Sequence, residues 1–146
     1  MSTIDDPFKL NRFILAQEIT YHNALLQIKS AKKTGHWMWY VFPQVKGLGI
    51  TSRSLEYSIK SPQEAKAYLQ HPVLGARLIE ISAALIEHKD KTAETILGYT
   101  DSLKLKSSMT LFHQVSENHT LFDAVLKQFF KGESCSFTLA YLNQNQ

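Results

Sequence analysis

The strongest helical signal in this chain is the segment VLGARLIEISAALI at residues 73–86. Its larger apolar residues recur at intervals of three and four, which places them along one face of an α-helix. These residues are Val73, Leu74, Leu78, Ile81, Leu85 and Ile86. His71-Pro72 comes just before, and a proline in the first helical turn loses no hydrogen bond. The segment therefore predicts an amphipathic helix whose stripe packs into a core.

Further helix boundaries lie on either side of this segment. Ser61-Pro62 with Glu64 is a capping-box pattern, and Thr92 to Leu97 is a short helical piece closed by Gly98. Asp101 is predicted as the N-cap of the helix that follows, which a break at residues 118–120 separates from the next helix.

The N-terminal part of the chain is also predicted to be helical. Asp6-Pro7 resembles a helix start, and a second helical stretch carries Tyr21 to Ile28. No segment shows sustained strand alternation. The fold class predicted is all-α: a compact single-domain bundle of about seven to nine helices over residues 1–146.

Composition limits the class of protein. A chain of 146 residues with 44% apolar and 20% charged residues has the length and balance of one globular domain. Cys135, the single cysteine, excludes an intramolecular disulfide and is interpreted as a free thiol, so we expect a cytoplasmic protein. The N-terminus lacks the features of a signal peptide. No apolar run approaches the roughly 20 residues of a membrane span, so no membrane partner is expected.

The densest aromatic stretch runs from residue 36 to residue 44, with the sequence HWMWYVFPQ. It could be a buried short helix or a buried strand, and most of it is expected in the core because aromatic side chains dominate core burial. Alternatively, part of it lines a ligand pocket. In that case Trp37 and Trp39 form the wall, and His36 and Gln44 supply polar groups.

A basic cluster precedes this run. Lys29, Lys32 and Lys33 lie close to His36 and the two tryptophans, as in stacking sites for single-stranded nucleic acid. The same lysines could equally be a solvated helix end. The net charge of only +3 favours the second interpretation, so a nucleic-acid partner is not expected.

A second group of polar residues lies about sixty positions later. Asp101, Lys104 and Ser108 are spaced i, i+3 and i+7, hence on one face of a helix, with Ser107 beside them. A lysine one turn from a serine can activate a hydroxyl nucleophile, and it can also hold a phosphate. An ordinary helix start with an Asp101–Lys104 ion pair is the structural alternative.

These patterns give the candidate site. The catalytic candidates are Lys104, Ser108 and Asp101, and the ligand-binding candidates are His36, Trp37, Trp39, Gln44, Lys104, Ser107 and Ser108. The six histidines show no metal-ligand spacing, so no metal is predicted, and no cofactor motif is present.

Four segments of the chain resemble a known family. They are Asp6-Pro7-Phe8 with Arg12-Phe13 and Gln17, the run from His36 to Gln44, His71-Pro72-Val73-Leu74-Gly75 with Arg77-Leu78, and Asp101 to Phe112. Over nearly its full length the chain is similar to the bacterial family of unknown function number eighteen-ten (DUF1810), sometimes labelled calpastatin. The resemblance implies a small, mainly helical fold and no established activity. The label is misleading, because calpastatins are long, disordered and repetitive.

A fainter similarity, in domain size and in a helical pocket bearing tryptophan and lysine, is to NADAR domains, which act on ADP-ribose-like or N-glycosidic substrates. It suggests a small phosphorylated or nucleotide-like ligand that the protein binds or hydrolyses. Asp101 would be the one carboxylate near such a site. The alternatives are an interaction module without chemistry and a weak binder of single-stranded nucleic acid. Oligomeric state is not predicted.

Overall fold

The computed structural model describes residues 6–49, 51–117 and 120–146. The described residues form nine α-helices and no extended strand, with one isolated parallel bridge between Val45 and Ile59. The helices are α1 Asn11–Lys29, α2 Met38–Val41, α3 Ser52–Glu56, α4 Pro62–Gln70, α5 Leu74–Ile86, α6 Ala93–Leu97, α7 Tyr99–Val115, α8 Leu121–Phe130 and α9 Ser136–Gln144. The prediction of an all-α fold with seven to nine helices is confirmed.

The helix α7 lies at the centre of the packing and contacts α4, α6, α8 and α9, while α5 packs against α1, α4 and α8. The apolar stripe of residues 73–86 faces inward at Leu74, Leu78, Ile81 and Leu85, which are buried, whereas Val73 is 37% exposed and Ile86 is partly buried. Burial of each such side chain stabilises the fold by about 1.5–3 kcal/mol before entropy is counted.

A chain of aromatic rings joins four helices through the core. Phe13 meets Tyr68 edge-on at 5.1 Å between ring centroids, Tyr68 lies 5.3 Å from Phe112, and Phe112 lies 6.0 Å from Phe122. All four rings are fully buried. These separations are in the range that aromatic pairs favour, so one contiguous cluster ties α1, α4, α7 and α8 together.

Local capping signals place several helix ends where the sequence predicts them. The Ser61 hydroxyl accepts the N–H of Glu64 at 3.1 Å, and the Glu64 carboxylate accepts the N–H of Lys60 at 2.9 Å. The Thr92 hydroxyl accepts the N–H of Thr95 at 3.0 Å, which begins α6. Each such cap satisfies a backbone donor that has no partner within the helix.

The N-terminal helix differs from the prediction. One continuous helix, α1, replaces the two expected stretches, and it begins at Asn11 rather than after Asp6. The Asp6 carboxylate accepts the N–H groups of Leu10 at 2.7 Å and Asn11 at 3.0 Å. Asp6 therefore caps the helix from four and five residues upstream, across a turn in which Lys9 has a positive φ of 54°.

The start of α7 also differs. The N-cap is Gly98, with φ 90°, and Asp101 lies in the first turn instead of at the cap. Its carboxylate is consequently free to bind side chains. The short helix α3 was not predicted, and the break expected at residues 118–120 falls partly on residues 118 and 119, which lie outside the described residues.

Within the described residues, no helix is both long and apolar enough to cross a membrane. The expectation about a signal peptide concerns residues 1–5, which lie outside the described part of the chain.

Candidate functional site

The aromatic run folds as the short helix α2, and the residues that flank this helix, Trp37 and Phe42, also pack in the core. Trp37, Met38, Tyr40, Val41 and Phe42 are all buried. Trp39 is partly exposed, so it alone of these rings could meet a ligand at the surface. The two interpretations of the run thus apply to different residues: most of it is core, and Trp39 faces a recess.

Trp37 has a structural environment. Its indole Nε1–H donates to the side-chain oxygen of Gln27 at 2.8 Å, and the same oxygen accepts the backbone N–H of Thr34, also at 2.8 Å. Trp37 is 3% exposed. A ring that is enclosed in this way supports the loop before α2.

A cluster of three charged residues, with the Lys33 side chain buried and the other two partly exposed, links this loop to α7. The Asp101 carboxylate lies 2.7 Å from the ammonium of Lys33 and 2.9 Å from that of Lys104, one lysine on each oxygen. The side chains are 4% exposed for Lys33 and 18% for Asp101. Lys33 also donates to the carbonyl of Gly35 at 2.5 Å. Such a buried ammonium requires partners of this kind, because an unpaired charge away from water is costly.

Each lysine of the cluster lies over a tryptophan. The ammonium of Lys33 is 5.0 Å from the ring centre of Trp37, and that of Lys104 is 4.3 Å from the ring centre of Trp39. Both distances are within the range of cation–π attraction. The aromatic run and the segment beginning at Asp101 therefore meet directly, as the sequence interpretation requires.

The recess at this junction is small. It has a volume of about 30 Å³ and is lined by His36, Met38, Trp39, Asp101 and Lys104. That volume is about the share of one water molecule in the liquid. The recess can therefore admit one or two atoms of a ligand, and the rest of the ligand would have to lie on the surface outside it.

The charge around the recess is positive. The two positive charges of Lys33 and Lys104 exceed the one negative charge of Asp101. Arg53 lies at the same edge, where its guanidinium donates to the carbonyl of His36 at 3.3 Å. Lys104 is 20% exposed, and Asp101 is its one hydrogen-bond acceptor among the described residues. An ammonium has three N–H donors, so Lys104 can bind another acceptor without leaving Asp101.

Asp101 is held in its ionised form. Burial raises the pKa of this carboxyl, but the hydrogen bonds and charges of Lys33 and Lys104 outweigh burial and leave the pKa below its usual value. A general acid near neutral pH needs the opposite shift. The carboxylate therefore orients the two lysines, one through each of its oxygens.

The remaining predicted site residues lie elsewhere. Ser108 is fully buried, and its hydroxyl has no hydrogen-bond partner among the described residues. Ser107 also is buried, and its hydroxyl lies 3.1 Å from the Leu103 carbonyl and 3.4 Å from the Cys135 sulfur. Gln44 is buried beside Ile59, whose N–H its carbonyl accepts at 2.8 Å. None of the three lines the recess.

Three residues at the site were not predicted as ligand-site residues: Lys33, Gln27 and Arg53. Lys33 was noticed only as a member of the basic cluster, and no spacing rule connects it to Asp101, 68 positions away. One signal could have indicated that Lys33 is buried and needs a partner: it lies directly before Thr34-Gly35 and the aromatic run, where burial is expected. Gln27 and Arg53 carry no such signal.

No group of three or more histidine, cysteine, aspartate or glutamate side chains in the described part of the chain is arranged to hold a metal ion. The recess itself is lined by lysine, carboxylate, histidine, indole and thioether side chains, and the net positive charge around it suits an anion better than a cation.

Comparisons with known proteins agree with the family resemblance. The crystal structure of the conserved hypothetical protein Rv1873 from Mycobacterium tuberculosis is similar to this chain, with 41% sequence identity and a TM-score of 0.93 over 94% of this chain and 99% of that one. No curated protein matches. The sequence pattern of a protein family of unknown function, DUF1810, matches residues 7–142. The chain therefore belongs to the DUF1810 family.

Proposed function

We propose that this protein binds a small phosphate-bearing molecule at the Lys104–Trp39 recess. The observation that supports the proposal is the position of Lys104. Its ammonium is partly exposed, lies over Trp39, and keeps N–H donors beyond those used by Asp101. A phosphate oxygen is a strong acceptor for such a donor.

The ligand would be nucleotide-like or ADP-ribose-like, with one phosphate at the mouth of the recess and its remainder on the surface beside Trp39 and Arg53. His36 lines the recess and can orient the phosphate. The recess of about 30 Å³ is too small to enclose a base or sugar. Affinity would therefore come mainly from charge and from contact with the exposed face of Trp39.

Binding is better supported than hydrolysis. A hydrolytic N-glycosidase-type reaction would need a carboxyl group able to exchange a proton with the substrate or with water. Asp101 is the carboxylate at the recess, its pKa is lowered, and both of its oxygens are engaged by lysines. Ser108, the candidate nucleophile, is fully buried.

The test is a thermal-unfolding titration with ADP-ribose, AMP and inorganic phosphate. Wild-type protein should gain about 5–10 °C in Tm at a ligand concentration near 100 times Kd, since such saturation adds about 2.7 kcal/mol to stability. Lys104→Gln should abolish the gain. The matched control is Lys106→Gln, because Lys106 is on the same helix with similar exposure and pairs instead with Glu133 at 3.5 Å.

A gain in Tm that is equal in both variants and in wild-type protein would contradict the placement at Lys104. Product analysis of the same ADP-ribose samples separates binding from hydrolysis. Release of adenine that depends on Lys104 would indicate N-glycosidic hydrolysis, and release of AMP with ribose phosphate would indicate cleavage of the pyrophosphate; either result would favour an enzyme over a binder.

Of the alternative functions, an interaction module has one supporting observation. Leu15, Ile19 and Leu26 are exposed along α1, and Ile19 is 84% exposed. A module of that kind predicts that Lys104 changes act only through stability, which the titration distinguishes. The nucleic-acid alternative has less support, because Trp37 is buried and cannot stack on a base, and the ammonium of Lys33 is paired with Asp101.

A further inference from the structure

A larger cavity lies away from the recess, where the chain before α1 meets the end of α3 and the start of α4. Its volume is about 520 Å³, within the range of about 300–1,000 Å³ that small-molecule sites occupy. It shares no lining residue with the recess. We call it the α1–α4 cavity.

The apolar part of this cavity comes from Pro7, Phe8 and Leu55. Leu55 is 46% exposed, although a leucine would gain from burial. Phe8 packs against the edge of the core, so its ring is held in place from behind. An apolar ligand body against these side chains would remove their surface from water.

Arg12 forms the frame of the cavity. Its guanidinium has no N–H group left to bind a ligand, because every N–H donor already has an acceptor within the protein. The Nε–H donates to the Glu56 carbonyl at 2.8 Å, one terminal nitrogen to the carbonyls of Phe8 at 2.6 Å and Lys9 at 2.9 Å, and the other to the Ser58 carbonyl at 3.0 Å and the Glu64 carboxylate at 2.7 Å. These bonds fix the walls on both sides, so the cavity is preformed.

The ammonium groups of Lys60 and Lys9 at the cavity, unlike the guanidinium of Arg12, have no carboxylate partner among the described residues. Lys60 has only a long contact, 3.4 Å, to the Ser58 carbonyl, and among the described residues no carboxylate forms an ion pair with Lys60 or Lys9. Burial lowers the pKa of Lys60; Glu64 opposes this shift, and the positive charges of Arg12, Lys46 and Lys9 add to it. A bound anion would relieve this repulsion.

The charges that line the cavity sum to a positive value. Lys9, Arg12 and Lys60 contribute +3, while Glu56 and Glu64 contribute −2. Glu64 is buried and neutralised by Arg12. The remaining charges are one negative charge on the exposed Glu56 and two positive charges on the unpaired Lys9 and Lys60. This excess of positive charge favours an anion beside Lys60.

We propose that the α1–α4 cavity is a second ligand site, which binds an amphipathic carboxylate: a small molecule with an apolar body and one carboxylate group. The body lies against Phe8 and Leu55, and the carboxylate lies between Lys60 and Lys9. The site is independent of the phosphate site at Lys104, because the two cavities have no residue in common.

The test is a titration of the ¹⁵N-labelled full chain with sodium octanoate, followed through backbone amide signals. Octanoate should produce saturable shifts at Leu55, Lys60 and Ser61, and octanol should bind at least about tenfold more weakly, because a hydrogen bond to a charged group is lost. Lys60→Gln should weaken octanoate binding by about the same factor. The matched control, Lys89→Gln, changes an exposed lysine outside both cavities and should leave the affinity unchanged.

Three results would overturn the proposal: no saturable shift at these amides, octanol binding as tightly as octanoate, or equal affinity in the Lys60 and Lys89 variants. Leu55→Gln is a further variant on an exposed residue, so its folding is not in question. It should weaken octanoate while leaving the phosphate response at Lys104 intact, and an unchanged octanoate affinity would contradict the apolar wall.

Discussion

Replacing Asp101 by asparagine should destabilise the protein substantially, since it removes the counterion of a buried ammonium. Breaking a buried ion pair from one side costs about 3–5 kcal/mol. Asp101 is 18% exposed, and Lys33 keeps the Gly35 carbonyl and the Trp37 ring. We therefore expect a loss of about 2–3 kcal/mol in the free energy of unfolding, or about 5–10 °C in Tm for a domain of this size.

The measurement is urea unfolding of four proteins: wild type, Asp101→Asn, Lys33→Met and the double variant. Methionine keeps the length of the Lys33 side chain without the charge. The double variant should be more stable than the sum of the two single losses predicts, by about 1 kcal/mol or more, because the buried Lys33 ammonium that Asp101→Asn leaves without its carboxylate is then absent. Strict additivity, or a loss below about 0.5 kcal/mol in Asp101→Asn, would refute the assignment of a coupled buried cluster.

The same cluster predicts a pH dependence. The pKa of Asp101 is lower in the folded protein than in the unfolded chain. Its contribution to stability is therefore fully present above the unfolded value, about pH 4, and is lost as the pH falls through the folded pKa. The difference in stability between wild type and Asp101→Asn should narrow below about pH 4. A constant difference down to pH 2 would contradict the shift.

Two further predictions concern other parts of the fold. Gly75→Ala should lower the free energy of unfolding by at least about 2 kcal/mol, because a Cβ atom there would overlap the Leu69 carbonyl where α4 and α5 cross. The control is the neighbouring change Ala76→Gly at an exposed position, which should lower it by about 1 kcal/mol or less in the same unfolding assay. Cys135 should be alkylated by iodoacetamide with a midpoint at lower pH than in the urea-unfolded chain, since burial raises the pKa of its thiol but hydrogen bonds to the sulfur, among them that from the Ser107 hydroxyl, outweigh burial; equal midpoints would contradict the shift.

The elements that the sequence predicted well are those determined by neighbours in the chain. The start of α4 depends on Ser61 and Glu64, three residues apart, and the core face of α5 follows from a spacing that any helix imposes. The errors at α1 and α7 also have a local cause. Asp6 and Asp101 are both good caps by residue type, but a turn at Lys9 and the positive φ of Gly98 moved the helix starts away from them.

The site could be predicted only in part, because its geometry comes from contacts between distant segments. The sequence singled out the aromatic run and Lys104, which do meet. It could not tell that Trp37 bonds to Gln27 of α1 while Trp39 stays partly exposed. The i+7 spacing of Ser108 was correct for a helix face, but α7 enters the core within two turns, and other helices cover that face.

The positions of Trp37 and Trp39 make the charged cluster visible to spectroscopy. They are the two tryptophans of the chain, and a lysine of the same cluster lies over each ring. Intrinsic tryptophan fluorescence therefore reports on this junction and on the contacts of the two rings with their neighbours. The enclosed indole should contribute emission at short wavelength, and the partly exposed one should be accessible to an anionic quencher such as iodide, which the neighbouring lysines attract.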